Sequence, residues 1–217
     1  PGHAHGRLSF PPDHPLYGQS LPLWAPDIAK RLDEFDVLLV AGMDLLREYV
    51  YHGPAPAIPP HLKLVHLDED PFQIGKNFPV AAGVLGDTRC SLAEIHALLE
   101  ERMNATDRSA AAARAAERTK LHQDVQARLR AHIASRSATR PMPPGVLMEG
   151  LSRVLPSNVA VVEEAVTTTN TTLARLGALK NTDGYFAHRG WALGWSLGSA
   201  LGVKHAWPDR PELAILG

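Results

Sequence analysis

Cysteine is nearly absent from this 217-residue sequence, and long apolar runs are missing altogether. Because Cys90 is the one cysteine, the sequence has neither an internal disulfide nor a cysteine-based zinc cluster, as is typical of proteins kept in a reducing compartment. No apolar run approaches the roughly 20 residues that a membrane-spanning helix needs. We therefore expect a cytoplasmic protein without a membrane partner.

An excess of either charge is lacking too, since 22 Lys and Arg face 23 Asp and Glu. Such a balance gives no uniform basic field, so we expect no nucleic-acid partner. Basic residues are nevertheless concentrated between residues 105 and 140, in an Ala-rich run without Gly or Pro. That run predicts an exposed helical connector, and no aromatic residue is interleaved in it for base stacking.

Several catalytic signatures are also missing. The eleven His residues form no His-x-x-x-His pair, which disfavours a zinc hydrolase. The sequence has no Gly-x-Ser-x-Gly elbow, and Gly42 stands alone after its predicted strand, outside any Gly-x-Gly-x-x-Gly fingerprint. Asp68, Glu69 and Asp70 follow another strand, where we expect turn and helix-cap roles more than a metal site.

The first part of the sequence alternates short apolar runs with helical stretches. Strands are predicted at 36–42, 62–67 and 80–85, and a capping box of Ser91 and Glu94 opens a predicted helix over 92–101. Strands separated by helices or long crossovers indicate an α/β fold with a parallel sheet.

The second part repeats this pattern after a Pro-rich break at 140–145. A helix is predicted over 146–155 and a strand over 158–162, and the sequence ends inside an apparent strand that begins at Glu212. We therefore expect three parts: an incomplete Rossmann-like domain at 1–104, a helical connector at 105–145, and the start of a second α/β domain at 146–217.

A hydroxyl-rich segment follows the predicted strand at 158–162. It runs Val-Val-Glu-Glu-Ala-Val-Thr-Thr-Thr-Asn-Thr-Thr over residues 161–172 and leads into a predicted helix. Backbone N–H groups at a helix start, together with Thr hydroxyls, can bind a phosphate. The alternative, which the residues leave open, is that the threonines only cap the helix.

A glycine-rich segment comes next, with Gly190, Gly194, Gly198 and Gly202 at every fourth position. In a helix this spacing lines one face with small residues, which serves either tight helix packing or the approach of a ligand. His188 and Arg189 stand just before it and are candidates for a proton donor and an anion contact. The alternative, that each is an ordinary surface residue, stays open.

Taken together, these segments resemble thiamine diphosphate-dependent enzymes of the branch that contains benzoylformate decarboxylase and acetolactate synthase. The likeness begins with Phe10-Pro-Pro-Asp-His-Pro-Leu-Tyr-Gly18, which resembles a middle-domain segment of that family. It is most specific in Gly190-Trp-Ala-Leu-Gly-Trp-Ser-Leu-Gly-Ser-Ala-Leu-Gly-Val203 followed by Trp207-Pro-Asp-Arg-Pro211, which resemble the opening of the diphosphate-binding domain.

The resemblance implies roles for individual positions. Val166, Thr167 and Thr168 match the turn that holds the cofactor's diphosphate. Leu193 matches the apolar residue that keeps the cofactor bent beneath its thiazolium, and Trp191 matches the position whose carbonyl meets the aminopyrimidine. The bent cofactor attacks a 2-keto acid in this family. His188 and Arg189 stand where the family varies with substrate.

The sequence also departs from the family pattern. Gly217 resembles the first Gly of the Gly-Asp-Gly motif that binds Mg, so the metal ligands are expected beyond it and none within the sequence. The domain that supplies the activating Glu has no counterpart, and Glu163 and Glu164 are not given that role. The sequence thus reads as a fragment of a homodimeric or homotetrameric enzyme, inactive when isolated. A rival interpretation is a non-catalytic α/β nucleotide-binding or structural module.

Overall fold

The computed structural model describes residues 8–18, 20–22, 24–46, 56–165, 172–180, 182–187 and 193–216. These residues form two compact units. The first contains the described residues between 20 and 110, and the second contains those between 8 and 18 and from 111 onward. This division does not test the predicted domain limits at 104/105 and 145/146, which remain predictions.

The first unit is a three-stranded parallel sheet flanked by helices. In chain order its elements are α1 (Ala25–Leu32), β1 (Val37–Ala41), β2 (Lys63–Asp68), β3 (Ala82–Leu85) and α2 (Thr88–Arg102). The strands lie in the order β1-β2-β3. Ile28 of α1 packs with Val40 and Leu64 in a buried apolar core. The predicted α/β class with a parallel sheet is therefore confirmed.

The start of α2 differs from the prediction. The capping box of Ser91 and Glu94 was wrong as the helix start, because α2 begins at Thr88. The N-cap is Asp87, whose carboxylate accepts a hydrogen bond from the Cys90 N–H at 2.7 Å. This bond satisfies a backbone donor one turn earlier than the box would, and it lowers the pKa of Asp87.

The Ala-rich connector is helical, as predicted. Helix α3 (Ala105–Ser135) runs for 31 residues with most of its side chains exposed. In the second unit its Arg130 meets the Glu149 carboxylate with two N–H···O contacts of 2.9 Å and donates to the Leu176 carbonyl at 2.6 Å. The basic run therefore supplies a largely solvated surface and, through Arg130, an anchor within the second unit.

The second unit contains another parallel sheet. After α3 come α4 (Pro144–Val154), β4 (Ala160–Glu163), α5 (Thr172–Arg175), β5 (Tyr185–Ala187), α6 (Trp195–Ala206) and β6 (Glu212–Ile215). The strand order is β5-β4-β6, with β4 buried at every position. Strand β5 was not predicted from the sequence, because three residues are too few to show a period. Within the described part of the chain, no helix is both long and apolar enough to cross a membrane.

Candidate functional site

Most of the predicted site residues lie outside the described part of the chain. These are Val166, Thr167, Thr168, His188, Arg189 and Trp191. Leu193 is described, and so are the strand ends that precede the predicted segments in the chain. The described part of the candidate site therefore consists of those strand ends and the start of α6.

The carboxyl ends of the three strands in the second unit meet at one edge of the sheet. Glu163 at the end of β4 pairs with Ala187 of β5 on one side and with Ile215 of β6 on the other. In α/β folds, ligands bind outside this edge, because loops from several strands converge there. The predicted phosphate segment follows β4 in sequence, and the predicted cofactor segment follows β5.

Leu193 and Gly194 form a tight turn that leads into α6. Gly194 is the N-cap residue and has φ of 89°, a left-handed conformation that favours glycine over residues with a Cβ. Leu193 is 73% exposed and is absent from both apolar cores. A large apolar side chain is thus held at the surface on a specific backbone turn.

The glycine face of α6 is open. A Cβ added at Gly194, Gly198 or Gly202 would meet nothing within 4 Å among the described residues. Leu197 and Leu201 on the same helix are also exposed. Tight helix packing therefore does not account for these glycines in the described structure, whereas the approach of a ligand or of other polypeptide remains compatible with them.

Glu164 ties β4 to the start of α6. Its carboxylate accepts hydrogen bonds from the backbone N–H groups of Gly194 and Ser196, both at 2.6 Å. The side chain is buried, and it satisfies two of the donors that a helix N-terminus leaves unpaired. This role of Glu164 was not predicted, because its partners are at least 30 residues away in the sequence and leave no local pattern.

The adjacent Glu163 is buried without comparable partners. It is 4% exposed, and neither carboxylate oxygen has a hydrogen-bond partner of normal geometry among the described residues. Burial raises the pKa of Glu163, and the neighbouring Tyr185 hydroxyl opposes this only in part. Burial and then the nearby Glu163 raise the pKa of Tyr185 as well. The two neighbouring glutamates are therefore both buried, but among the described residues only Glu164 has two hydrogen bonds to its carboxylate.

We expect Glu163→Gln to stabilise the second unit at neutral pH and to flatten its pH dependence. A raised pKa means that the unfolded chain releases the Glu163 proton first, so stability falls as pH rises from about 4.5 through the raised value. The amide does not ionise, so the loss of stability that ionised Glu163 causes above its raised pKa is absent from the variant. Urea unfolding at pH 5 and pH 8 measures the effect. Equal pH slopes for the two proteins would contradict it.

The acidic run in the first unit takes turn roles, as predicted. The Asp68 carboxylate accepts from the Asp70 N–H at 2.9 Å, and the Asp70 carboxylate accepts from the Phe72 N–H at 2.9 Å. Among the residues described, no group of three His, Cys, Asp or Glu is arranged to hold a metal ion.

The exposed apolar side chain of Leu193, next to the turn that Glu164 binds, is compatible with the role predicted for it beneath a bent cofactor. Two N–H groups at the start of α6, those of Gly194 and Ser196, already bind the Glu164 carboxylate. The diphosphate contacts predicted for Val166, Thr167 and Thr168 lie outside the described residues and remain a prediction.

Comparisons with known proteins agree with the resemblance drawn from the sequence. Residues 3–95 match the family model of the thiamine pyrophosphate enzyme central domain. Benzoylformate decarboxylase from Pseudomonas aeruginosa is 25% identical over 97% of this chain, and a probable chloroplastic acetolactate synthase of Oryza sativa subsp. japonica is 33% identical over 50% of it. The chain spans 36% of the first and 15% of the second.

A solved structure has the same fold over nearly the whole chain. Benzoylformate decarboxylase from Polynucleobacter necessarius superposes with a TM-score of 0.69 at 20% identity. That match covers 98% of this chain and 36% of the other. The likeness therefore extends through both units, although this chain corresponds to little more than a third of such a protein.

Proposed function

We propose that this chain, which is related to the benzoylformate decarboxylase and acetolactate synthase branch of thiamine diphosphate-dependent enzymes, forms part of an enzyme that acts on 2-keto acids. The reaction would be decarboxylation, carboligation or both. One observation carries the proposal: the relationship to a decarboxylase runs through 97% of the chain, including the second unit where the predicted cofactor residues stand.

In this proposal different residues of the chain bind different parts of the cofactor. Val166, Thr167 and Thr168 hold the diphosphate, Trp191 meets the aminopyrimidine through its carbonyl, and Leu193 supports the bent shape. When bound, the cofactor supplies the nucleophile that attacks the carbonyl carbon of the substrate. His188 and Arg189 would face the 2-keto acid, as a proton donor and a carboxylate contact.

The complete enzyme would also require Mg and a second subunit. In this proposal the metal ligands lie beyond Gly217, and the enzyme is a homodimer or homotetramer in the cytoplasm. The rival interpretation is a non-catalytic nucleotide-binding or structural module. It is not favoured, because the matched relatives are named as enzymes and the matches cover both units.

We expect the isolated chain to bind thiamine diphosphate weakly but to show no turnover. Titration calorimetry with thiamine diphosphate and Mg²⁺ measures binding, and titration with ADP serves as the control. Saturable binding of ADP in place of thiamine diphosphate would favour the nucleotide-binding module. Turnover is tested by CO₂ release from benzoylformate or pyruvate, and sustained release would refute the expected inactivity.

A further inference from the structure

The side chain of Glu164 joins two segments that are distant in sequence. Its two oxygens accept from Gly194 N–H and Ser196 N–H, each at 2.6 Å. Glu164 is 5% exposed, so these charge-assisted bonds are shielded from water. The favourable end of the α6 dipole strengthens the same contact.

The backbone of Glu164 is fixed as well. Its N–H donates to the Ile215 carbonyl at 2.9 Å, which anchors the end of β4 on β6. The carboxylate is therefore held at a defined position relative to the sheet. Glu164 therefore connects the end of β4 to the first turn of α6 through hydrogen bonds of both its backbone and its side chain.

Leu193 lies next to the backbone that the Glu164 carboxylate binds. Leu193 directly precedes Gly194, and its 73% exposure leaves little packing of its own to fix it. The left-handed backbone of Gly194, with its N–H held by Glu164, sets the direction in which the chain enters the turn. Loosening that hydrogen bond would let Leu193 move without disturbing either apolar core.

We propose that Glu164 is a positioning residue for the cofactor site: it holds the Leu193–Gly194 turn so that Leu193 supports the apolar part of thiamine diphosphate. This inference rests on the proposed function, because the role of Leu193 toward that cofactor belongs to it. Glu164 itself touches neither cofactor nor substrate in this assignment.

The geometry requires a carboxylate of this length. Both partners are N–H donors, so both side-chain atoms that face them must be acceptors. Glutamine would turn one NH₂ group toward a donor, and aspartate is one methylene too short to keep both 2.6 Å contacts. Glu164→Gln is therefore a nearly isosteric change that breaks one of the two bonds.

The test compares Glu164→Gln with the unaltered chain and with Glu163→Gln, which removes an adjacent buried carboxylate that makes no such bonds. Affinities are measured for thiamine diphosphate with Mg²⁺ and for inorganic diphosphate with Mg²⁺. Glu164→Gln is expected to weaken thiamine diphosphate binding at least about tenfold, the equivalent of one charge-assisted hydrogen bond. Inorganic diphosphate, which Leu193 does not contact, should bind within about threefold of the unaltered chain.

Hydrogen exchange supplies a readout that does not depend on the cofactor. Glu164→Gln should accelerate exchange in peptides that cover residues 193–199, whereas Glu163→Gln should not. If Glu164→Gln fails to fold, Glu164→Asp replaces it, with the same expectations. Equal loss of affinity for both ligands would mean a general structural defect and would overturn the positioning role.

The outcomes also separate this inference from the proposed function. Unchanged thiamine diphosphate affinity in Glu164→Gln would overturn the inference while leaving the proposed function intact. Absence of thiamine diphosphate binding by the unaltered chain would overturn the inference together with the weak binding expected above, and Glu164 would then be only the cap of α6. Selective loss of thiamine diphosphate affinity with local acceleration of exchange would support both.

Discussion

Replacing Leu193 with alanine is expected to weaken thiamine diphosphate binding by the chain about thirtyfold while leaving its fold intact. Leu193 is 73% exposed, so its side chain contributes little to folding and its truncation should change stability by less than about 0.5 kcal/mol. If the bound cofactor covers it, losing three carbon atoms removes about 2 kcal/mol of apolar burial. Titration calorimetry with thiamine diphosphate and Mg²⁺ measures the change.

Leu197 provides a matched control for this experiment. It lies one helical turn further along α6 and is 60% exposed, but it is not next to the Gly194 turn. Leu197→Ala should bind thiamine diphosphate as the unaltered chain does. Equal losses in the two variants would mean that the whole apolar face of α6 matters, and the specific role of Leu193 would be wrong.

Replacing Leu173 with alanine is expected to lower the free energy of unfolding of the second unit by about 2–5 kcal/mol. Leu173 is almost fully buried in α5 and belongs to the core that contains Val161 of β4 and Tyr185 of β5. Truncation leaves a cavity that these close-packed neighbours cannot fill completely. Urea unfolding gives the free energy, and hydrogen exchange by peptide identifies the unit that is affected.

The matched change in the first unit is Leu64→Ala. Leu64 is equally buried, in β2, and its contacts lie in the separate core around Ile28 and Val40. Leu64→Ala should lower the free energy of unfolding of the first unit by a comparable amount. Hydrogen exchange in peptides of the first unit should therefore be faster. If Leu173→Ala instead leaves the exchange of β4 and β5 peptides unchanged, the second core is not organised around Leu173.

The candidate site could be predicted only in part from the sequence. Leu193 was identified through a resemblance carried by a continuous run of residues; in the structure it lies exposed on the turn before α6, and its role toward the cofactor remains a prediction. Glu164 could not be identified in this way. It was visible as a carboxylate after a strand, but a carboxylate in that place can bind metal, cap a helix or face solvent, and local sequence does not choose among these.

The wrong prediction for the start of α2 has a similar cause. The capping box at Ser91 and Glu94 had the right residue types and spacing, yet Asp87 begins the helix one turn earlier. Several residues near a helix start can accept a backbone hydrogen bond, and the choice among them depends on where the preceding strand delivers the chain. Here β3 ends at Leu85, which leaves Asp87 in position to cap α2.

The sequence by itself determined the α/β class, the helical connector and the approximate positions of the longer apolar strands along the chain. These follow from periodicity and composition, which act over a few neighbouring residues. Only the tertiary structure decided that Glu164 binds the start of α6 while Glu163 stays buried without a comparable partner. Neighbouring side chains of a strand point to opposite faces, so two identical residues meet different surroundings that are assembled from distant parts of the chain.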